Sequence, residues 1–183
     1  MLNMVVLYIV IKLYCKMESI IQKKLFNKDE CDYLKSLSDD KSLKRSIGRA
    51  THTSIMIELN DDLSNILLPK FKEFQIKSLP DFFMILKYDI NQEFKKHIDS
   101  GPEFPERYRT LVIQLSNETD YDGGELCIFE NEKTTIPLKE IGNTIVFDSS
   151  LKHSTNKIKE GIRYSLVFWL SIHNFALNNK SLI

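Results

Sequence analysis

This chain has few cysteines, no excess charge of either sign and no long apolar run, and each shortage closes off a class of protein. Its three cysteines, Cys15, Cys31 and Cys127, are odd in number and widely spaced. They form neither a C-x-x-C pair nor a disulfide framework, so a reducing, cytoplasmic setting is expected, with the thiols buried or idle. Lys and Arg number 25, Asp and Glu also 25, so the formal net charge is zero. A balanced chain has no electrostatic means of capturing nucleic acid or an anionic membrane, and neither is expected as a partner. The one ambiguous apolar run, Met4 to Ile11, is broken by Lys12; a membrane helix needs roughly 20 such residues. It lacks the basic leader and small-residue cleavage site of a secretory signal. Residues 1–16 are therefore expected to be an N-terminal extension of uncertain role, a weak interfacial segment or an upstream stretch ahead of a functional start at Met17 rather than a true anchor, with a β-rich tail as the alternative.

No repeat, low-complexity block or linker divides the rest, so 17–183 is expected to form a single domain. Ser19–Phe26 reads as a short strand. Asn27-Lys-Asp-Glu30 is a helix start, a capping Asn with acids in the first turn, and Cys31, Leu34 and Leu37 follow on one helical face. Asp61–Leu68 reads as a second helix capped by Asn60 or Asp61, with Pro69 ending it or opening a turn. From Asp81 onward the pattern changes to short β-branched and aromatic runs between Gly, Asp and Asn turns. Phe82–Tyr88, Thr110–Ser116, Glu125–Phe129, Thr144–Phe147 and Tyr164–Leu170 are the expected strands. Helices first and many short strands afterwards indicate a mainly β (α+β) sandwich or barrel with helices against one face.

Within this frame His97-x-Asp99, His153 and Arg163 carry the chemistry. Two imidazoles and one carboxylate are a donor set that leaves three faces of an octahedral ferrous ion open. Taken alone, an H-x-D triplet is more simply a pair of surface polar residues. On an extended segment, however, residues i and i+2 point to one side, so His97 and Asp99 project together. His153 follows the buried-type strand Ile145–Asp148, and a turn at Lys157–Gly161 is expected to return the chain into Arg163. His153 and Arg163 would then lie on adjacent antiparallel segments, both facing the interior. Arginine in an otherwise apolar strand needs an anionic partner, and the guanidinium fork suits a carboxylate. His52 and His173 have no partner pattern and read as ordinary polar residues.

The flanking sequence gives these residues a context. Tyr88-Asp-Ile-Asn91-Gln-Glu-Phe94-Lys-Lys-His97-Ile-Asp99 resembles the Y-x-x-G-x-x-[YF]-x-x-H-x-D signature of the iron(II)- and 2-oxoglutarate-dependent dioxygenases, in their prolyl 4-hydroxylase-like branch. The branch's later motifs are matched by Arg107-Tyr-Arg-Thr110, Asp122-Gly123-Gly124-Glu125, Gly142-Asn-Thr-Ile-Val-Phe147 with His153, and Gly161-Ile-Arg163-Tyr-Ser165-Leu-Val-Phe-Trp169. The likeness runs from Ser19 to Ser171 and is most specific from Tyr88 to Trp169, inside a motif-bearing core of about 82–171.

The resemblance implies a double-stranded β-helix, the cupin-like jelly roll, with N-terminal helices packed on its major sheet. It implies Fe(II) on His97, Asp99 and His153, with 2-oxoglutarate as cosubstrate and ascorbate as a further candidate reductant. Arg163 becomes the clamp for the distal carboxylate, Tyr88 a hydroxyl donor near the cosubstrate, Ser165 a second donor and Trp169 a wall of the pocket. Core packing alone explains Tyr88 and Trp169 equally well. Two departures stand out. Asn91 replaces a glycine, which Asn's tolerance of positive φ allows, and Arg163 stands where collagen-type members use lysine. The expected activity is hydroxylation of a C–H bond, most simply of a prolyl residue in a protein or peptide. A hydroxylase of small molecules or free amino acids is the alternative, and a non-catalytic metal-binding interaction module a third. Intact ligands and Arg163 argue against the third, and Asp99 argues against a halogenase, which needs that position for chloride. The loops Arg45–Ser54 and Gly101–Tyr108, which would touch substrate, carry no readable code.

Overall fold

The computed structural model describes residues 18–40, 45–47, 51–74 and 76–171; the Met4–Ile11 run, the expected boundary at Met17, Cys15 and His173 lie outside them. In chain order the elements are β1 (Ile20–Lys24), α1 (Lys28–Ser36), β2 (Arg45–Ile47), β3 (Thr53–Glu58), α2 (Asp61–Phe71), β4 (Phe82–Tyr88) and β5 (Phe94–His97). Then come β6 (Arg107–Gln114), β7 (Tyr121–Gly123), β8 (Leu126–Glu130), β9 (Lys133–Thr135), β10 (Asn143–Asp148), β11 (Lys152–Thr155), β12 (Ile158–Gly161) and β13 (Arg163–Ser171). Among the described residues the strands form a major sheet, β1-β10-β6-β13-β4-β3-β2, a minor sheet, β5-β11-β8-β9, and the pair β12-β7. All pairings are antiparallel, and the two sheets face each other as a jelly roll. No helix among the described residues is long and apolar enough to cross a membrane.

Side-chain alternation gives the major sheet two cores. Phe83 and Ile85 of β4, Leu111 and Ile113 of β6 and Leu166, Phe168 and Leu170 of β13 point toward the helices. There they meet Cys31 and Leu34 of α1 and Leu63, Leu67 and Phe71 of α2. The intervening residues Leu86, Tyr88, Val112 and Val167 point the other way, into the space between the sheets, against Leu126, Ile128 and Phe147. Burial pushes the Cys31 thiol up to about 12, and Cys127 is raised for the same reason. Both thiols are buried and unpaired.

Local signals account for the helix starts. The Asn27 side chain accepts from the Glu30 backbone N–H at 2.9 Å, and the Glu30 carboxylate accepts from the Asn27 N–H at 2.9 Å. This reciprocal cap ties down orphan donors at the start of α1. Asn60 caps α2 by accepting from Leu63 N–H at 2.9 Å. Pro69 does not end this helix, contrary to expectation. It sits inside α2, which runs to Phe71 and into a 3-10 turn at Lys72–Phe74. Proline removes one i→i−4 bond and strains the preceding turn. Burial of Phe71 and Phe74, at 0% and 3% exposure, offsets that cost. Gly142 joins the helical layer to the sheet. Its φ is +79°, and a Cβ there would lie 1.9 Å from the Phe26 carbonyl oxygen, so only glycine fits.

Two further expectations are corrected. Ile158–Gly161 is a strand rather than a turn; it pairs with β7 and buries Ile158 completely. His153 and Arg163 are not on adjacent segments. His153 is on β11 of the minor sheet and Arg163 on β13 of the major sheet, so they face each other across the interior. The reason is the β12 excursion, which carries the chain from one sheet to the other between them.

Candidate metal centre

His97 ends β5 and pairs in register with His153 on β11, so the two imidazoles sit side by side at 4.2 Å between ring centroids. Asp99 lies just past β5, and its backbone N–H and that of Ser100 both donate to the Ser149 carbonyl at 3.0 Å. Asp99 Oδ1 is 3.5 Å from His97 Nε2, and Oδ2 is 3.3 Å from His153 Nε2. One ligand atom from each residue lies within 4.8 Å of the other two.

The hydrogen bonds behind the rings decide what this cluster can hold. His97 Nδ1 is 2.8 Å from the Lys95 carbonyl and His153 Nδ1 is 3.0 Å from the Leu151 carbonyl. A carbonyl oxygen only accepts, so each Nδ1 carries a hydrogen and each Nε2 faces inward, where it can offer a lone pair to a cation. Two lone pairs and a carboxylate then converge on one point, an arrangement that suits a divalent cation. Burial pushes the Asp99 carboxyl up, but hydrogen bonds with His153, His97 and Thr110 outweigh it and hold the group far below the usual carboxylate range. Asp99 is therefore an anion. Phe94 stacks on His97 at 3.7 Å, and Phe147 meets His153 edge-on at 4.8 Å.

A narrow cavity runs inward from this cluster. Its walls include Tyr88, Thr155, Arg163, Ser165, Val167 and Trp169, so every residue singled out from the sequence lines it. Arg163 is 1% exposed, and its Nη2 donates to the neutral carboxamide of Gln114 at 3.0 Å. Among the described residues no carboxylate pairs with it. Its Nε, the Ser165 hydroxyl and the Tyr121 hydroxyl are buried without a hydrogen-bond partner. A buried guanidinium beside orphaned donors is costly unless an anion completes it, and a ligand carboxylate has the acceptors it lacks. Burial raises the pKa of Tyr88 and of Tyr121, opposed in both by the charge of Arg163, so both phenols stay protonated. Gly124, at φ +63°, leaves room for this group, since a Cβ would come within 3.1 Å of Arg163 Cδ. Asn91 adopts φ +67°, the conformation expected of it in the glycine position.

A wider outer cavity of about 280 Å³ shares His97, Asp99 and Trp169 with the inner one. Arg107 forms part of its wall, sandwiched between the Phe104 ring at 3.8 Å and the Trp169 ring at 4.0 Å. His52 forms another part, and its role is not legible in the sequence. It is 3% exposed, its ring lies tilted against Tyr88 at 4.7 Å and Phe94 at 4.9 Å, and its Nδ1 has no partner. Burial, with the His97 and Arg163 charges, depresses its pKa to about 4. Thr110, fully buried and bonded to Asp99, was likewise missed as a site residue. The R-x-x-T spacing flagged its strand, but a threonine at a β position reads as packing.

The profile described as 2OG-Fe(II) oxygenase superfamily matches residues 83–171, the span that holds the triad and Arg163. The chain belongs to this superfamily. A PKHD-type hydroxylase of Prochlorococcus marinus (strain NATL1A) is 31% identical over 133 residues, which are 70% of this chain and 59% of that protein. Another PKHD-type hydroxylase, from Gluconobacter oxydans (strain 621H), is 32% identical over 90 residues, 45% of this chain and 40% of the relative. The chain thus spans at most 59% of the length of these two relatives. Among solved structures, a Pseudomonas putida prolyl-4-hydroxylase superposes with a TM-score of 0.68 at 16% identity, covering 90% of this chain and 98% of that one. A Trichoplax adhaerens prolyl hydroxylase, in complex with a hypoxia inducible factor peptide fragment, gives 0.67 at 14% identity, covering 93% and 92%. The solved structures show that the chain has their jelly-roll fold. Membership of the superfamily makes Fe(II) and 2-oxoglutarate the cofactor and cosubstrate of its family.

Proposed function

We propose that this protein is an Fe(II)- and 2-oxoglutarate-dependent dioxygenase that hydroxylates a prolyl residue of a protein or peptide. The observation that carries the reading is one cavity holding both a three-donor cluster and, on the facing sheet, an unpaired guanidinium. His97 and His153 would offer their Nε2 lone pairs and Asp99 a carboxylate oxygen to the metal. Arg163, with Ser165, would bind the distal carboxylate of 2-oxoglutarate and orient its other end toward the metal. Thr110, bonded to Asp99, and Gln114, bonded to Arg163, are four residues apart on β6, a rise of about 13 Å. The two binding points are therefore at separate levels of the cavity, as a molecule with a chelating end and an anionic end requires. Tyr88 and Trp169 would wall the space and exclude water. With both groups bound, the chemistry supplied consumes dioxygen, releases succinate and carbon dioxide and puts one oxygen atom into a C–H bond.

A peptide is favoured over a metabolite by the wide outer cavity, which opens beside the donor cluster and is walled by Phe104, Arg107 and Trp169. A structural neighbour of the same fold is described with a bound peptide, which is consistent with that reading. The test is succinate formation by the iron-loaded protein, with ascorbate in the assay, against a library of blocked proline-containing peptides and a panel of free amino acids. Acceleration by peptides, with the product gaining one oxygen on proline, is expected. Acceleration only by small molecules would replace the peptide reading. Absence of any 2-oxoglutarate turnover would remove the dioxygenase assignment itself.

A further inference from the structure

Asp99 differs from the two histidines in how it is held. It lies beyond the end of β5, so no ladder partner fixes it, and a free aspartate side chain rotates about two bonds. Away from the histidines two hydrogen bonds restrain it, and a third contact braces one of them. Its backbone N–H donates to the Ser149 carbonyl at 3.0 Å. Its Oδ2 accepts from the Thr110 hydroxyl at 2.7 Å. The Thr110 hydroxyl in turn lies 3.0 Å from the Ser149 hydroxyl. Thr110 and Ser149 are both 0% exposed, so bulk water does not reach their hydroxyls. Thr110 is set by β6, where it pairs with Phe147 and Trp169, and Ser149 by the turn after β10. Two separate parts of the fold therefore meet on one carboxylate.

We infer that Thr110 and Ser149 are positioning residues that set the affinity of the centre for its metal, by holding the Asp99 carboxylate in place through one of its oxygens. The inference rests on the reading of His97, Asp99 and His153 as metal ligands. Thr110 keeps Oδ2 engaged, so the orientation of the carboxylate toward the two Nε2 atoms exists before metal arrives. Without the hydroxyl the carboxylate must be ordered by the metal itself, and outer-shell partners of this kind typically govern about 10- to 100-fold in affinity. Ser149 acts one step further out, by orienting the Thr110 hydroxyl and by holding the Asp99 backbone through its carbonyl. The backbone contact survives loss of its side chain, so its own effect is smaller.

The experiment is titration of Mn(II) into metal-free protein without cosubstrate, followed by the loss of the free-ion electron paramagnetic resonance signal. Thr110→Val keeps the shape of the side chain and removes the hydroxyl; its affinity should fall about 10- to 100-fold. Thr110→Ser keeps the hydroxyl and should stay within a few-fold of the wild type, and Ser149→Ala should fall between the two. Thermal melting of each metal-free variant identifies any that fails to fold. If Thr110→Val is lost that way, Ser149→Ala decides the matter alone. Unchanged affinity in Thr110→Val, or in Ser149→Ala where it must decide, would overturn the inference. So would an equal fall in Thr110→Ser and Thr110→Val, because packing rather than the hydroxyl would then be responsible. Failure of the wild type to bind Mn(II) is a different result, one that removes the metal centre itself.

Discussion

One face of the major sheet is packed against the helices, and the other lines a cavity. Toward the helices β4, β6 and β13 present mainly apolar side chains, such as Phe83, Leu111 and Phe168, packed against other apolar groups. Toward the interior the same strands present Tyr88, Thr110, Gln114, Arg163 and Ser165, each at most 2% exposed. On the first face burial is favourable everywhere. On the second, Arg163 Nε and the Ser165 hydroxyl are buried without partners, an arrangement that costs free energy in the empty protein. The contrast separates the part of the molecule that folds it from the part that waits for a ligand.

The sharpest way to break this contrast is to remove a metal ligand. Asp99→Ala or His97→Ala should abolish binding of divalent metal while the metal-free fold persists, since Asp99 and His97 line a cavity that neither core fills. Metal analysis of the purified variants checks this, and unchanged stoichiometry in both would reverse the assignment. Tightly bound zinc in the wild type would not, because zinc competes well for divalent N and O sites.

The next largest effect belongs to the other face. Phe168 is 1% exposed and packs on Phe71 with ring centroids 5.3 Å apart. Phe168→Ala should cost about 3–5 kcal/mol of stability by urea unfolding. Metal affinity of the folded fraction should not change. A parallel loss of affinity would mean that the two faces are not independent.

Arg163→Leu should weaken 2-oxoglutarate by roughly tenfold to a few hundredfold, taking about 1.5–3 kcal/mol for charged hydrogen bonds and 1.4 kcal/mol per decade. Metal affinity should barely move, and Arg163→Lys should be intermediate, keeping the charge without the planar fork. Titration of 2-oxoglutarate into the Fe(II) protein, followed by its charge-transfer band, measures this. Equal affinity in wild type and Arg163→Leu would assign the distal carboxylate to another residue.

The smallest effect is a pH dependence. His52 has a folded pKa of about 4 against an ordinary 6.5, so on acidification the unfolded chain takes up the proton first. Its neutral form thus contributes stability that is fully present above about pH 6.5 and is lost as the pH falls toward 4, at no more than about 1.4 kcal/mol per unit. His52→Phe keeps a ring against Tyr88 and Phe94 and removes this dependence. Unfolding of the metal-free proteins at pH 7 and pH 5 should therefore show a smaller decline in the variant; identical declines would show that His52 does not titrate this way.

Much of this could be read in advance, and the misses share a cause. The capped starts of both helices, the main strands and the glycine-like turn at Asn91 follow from residues within a few positions of one another. The set of His97, Asp99, His153 and Arg163 was legible differently, because each sits inside a short motif of its own although the motifs are far apart along the chain. Pro69 departs from its local expectation because the burial of Phe71 and Phe74, which keeps the helix going, depends on a sheet distant along the chain. His52 was passed over because its partners Tyr88 and Phe94 lie 36 and 42 residues away.

Where the helices begin, which runs form the main strands and which side chains have the chemistry of a metal and carboxylate site can be read along the chain. These properties depend on covalent neighbours and on side-chain type. The packing of the two sheets set His153 and Arg163 facing each other from different sheets rather than sharing one. It also decided that Thr110 and Ser149 close on Asp99, and that His52 becomes a wall of the cavity. Those contacts depend on how two sheets pack across an interior. Packing of this kind joins residues by distance in space, which no spacing along the chain records.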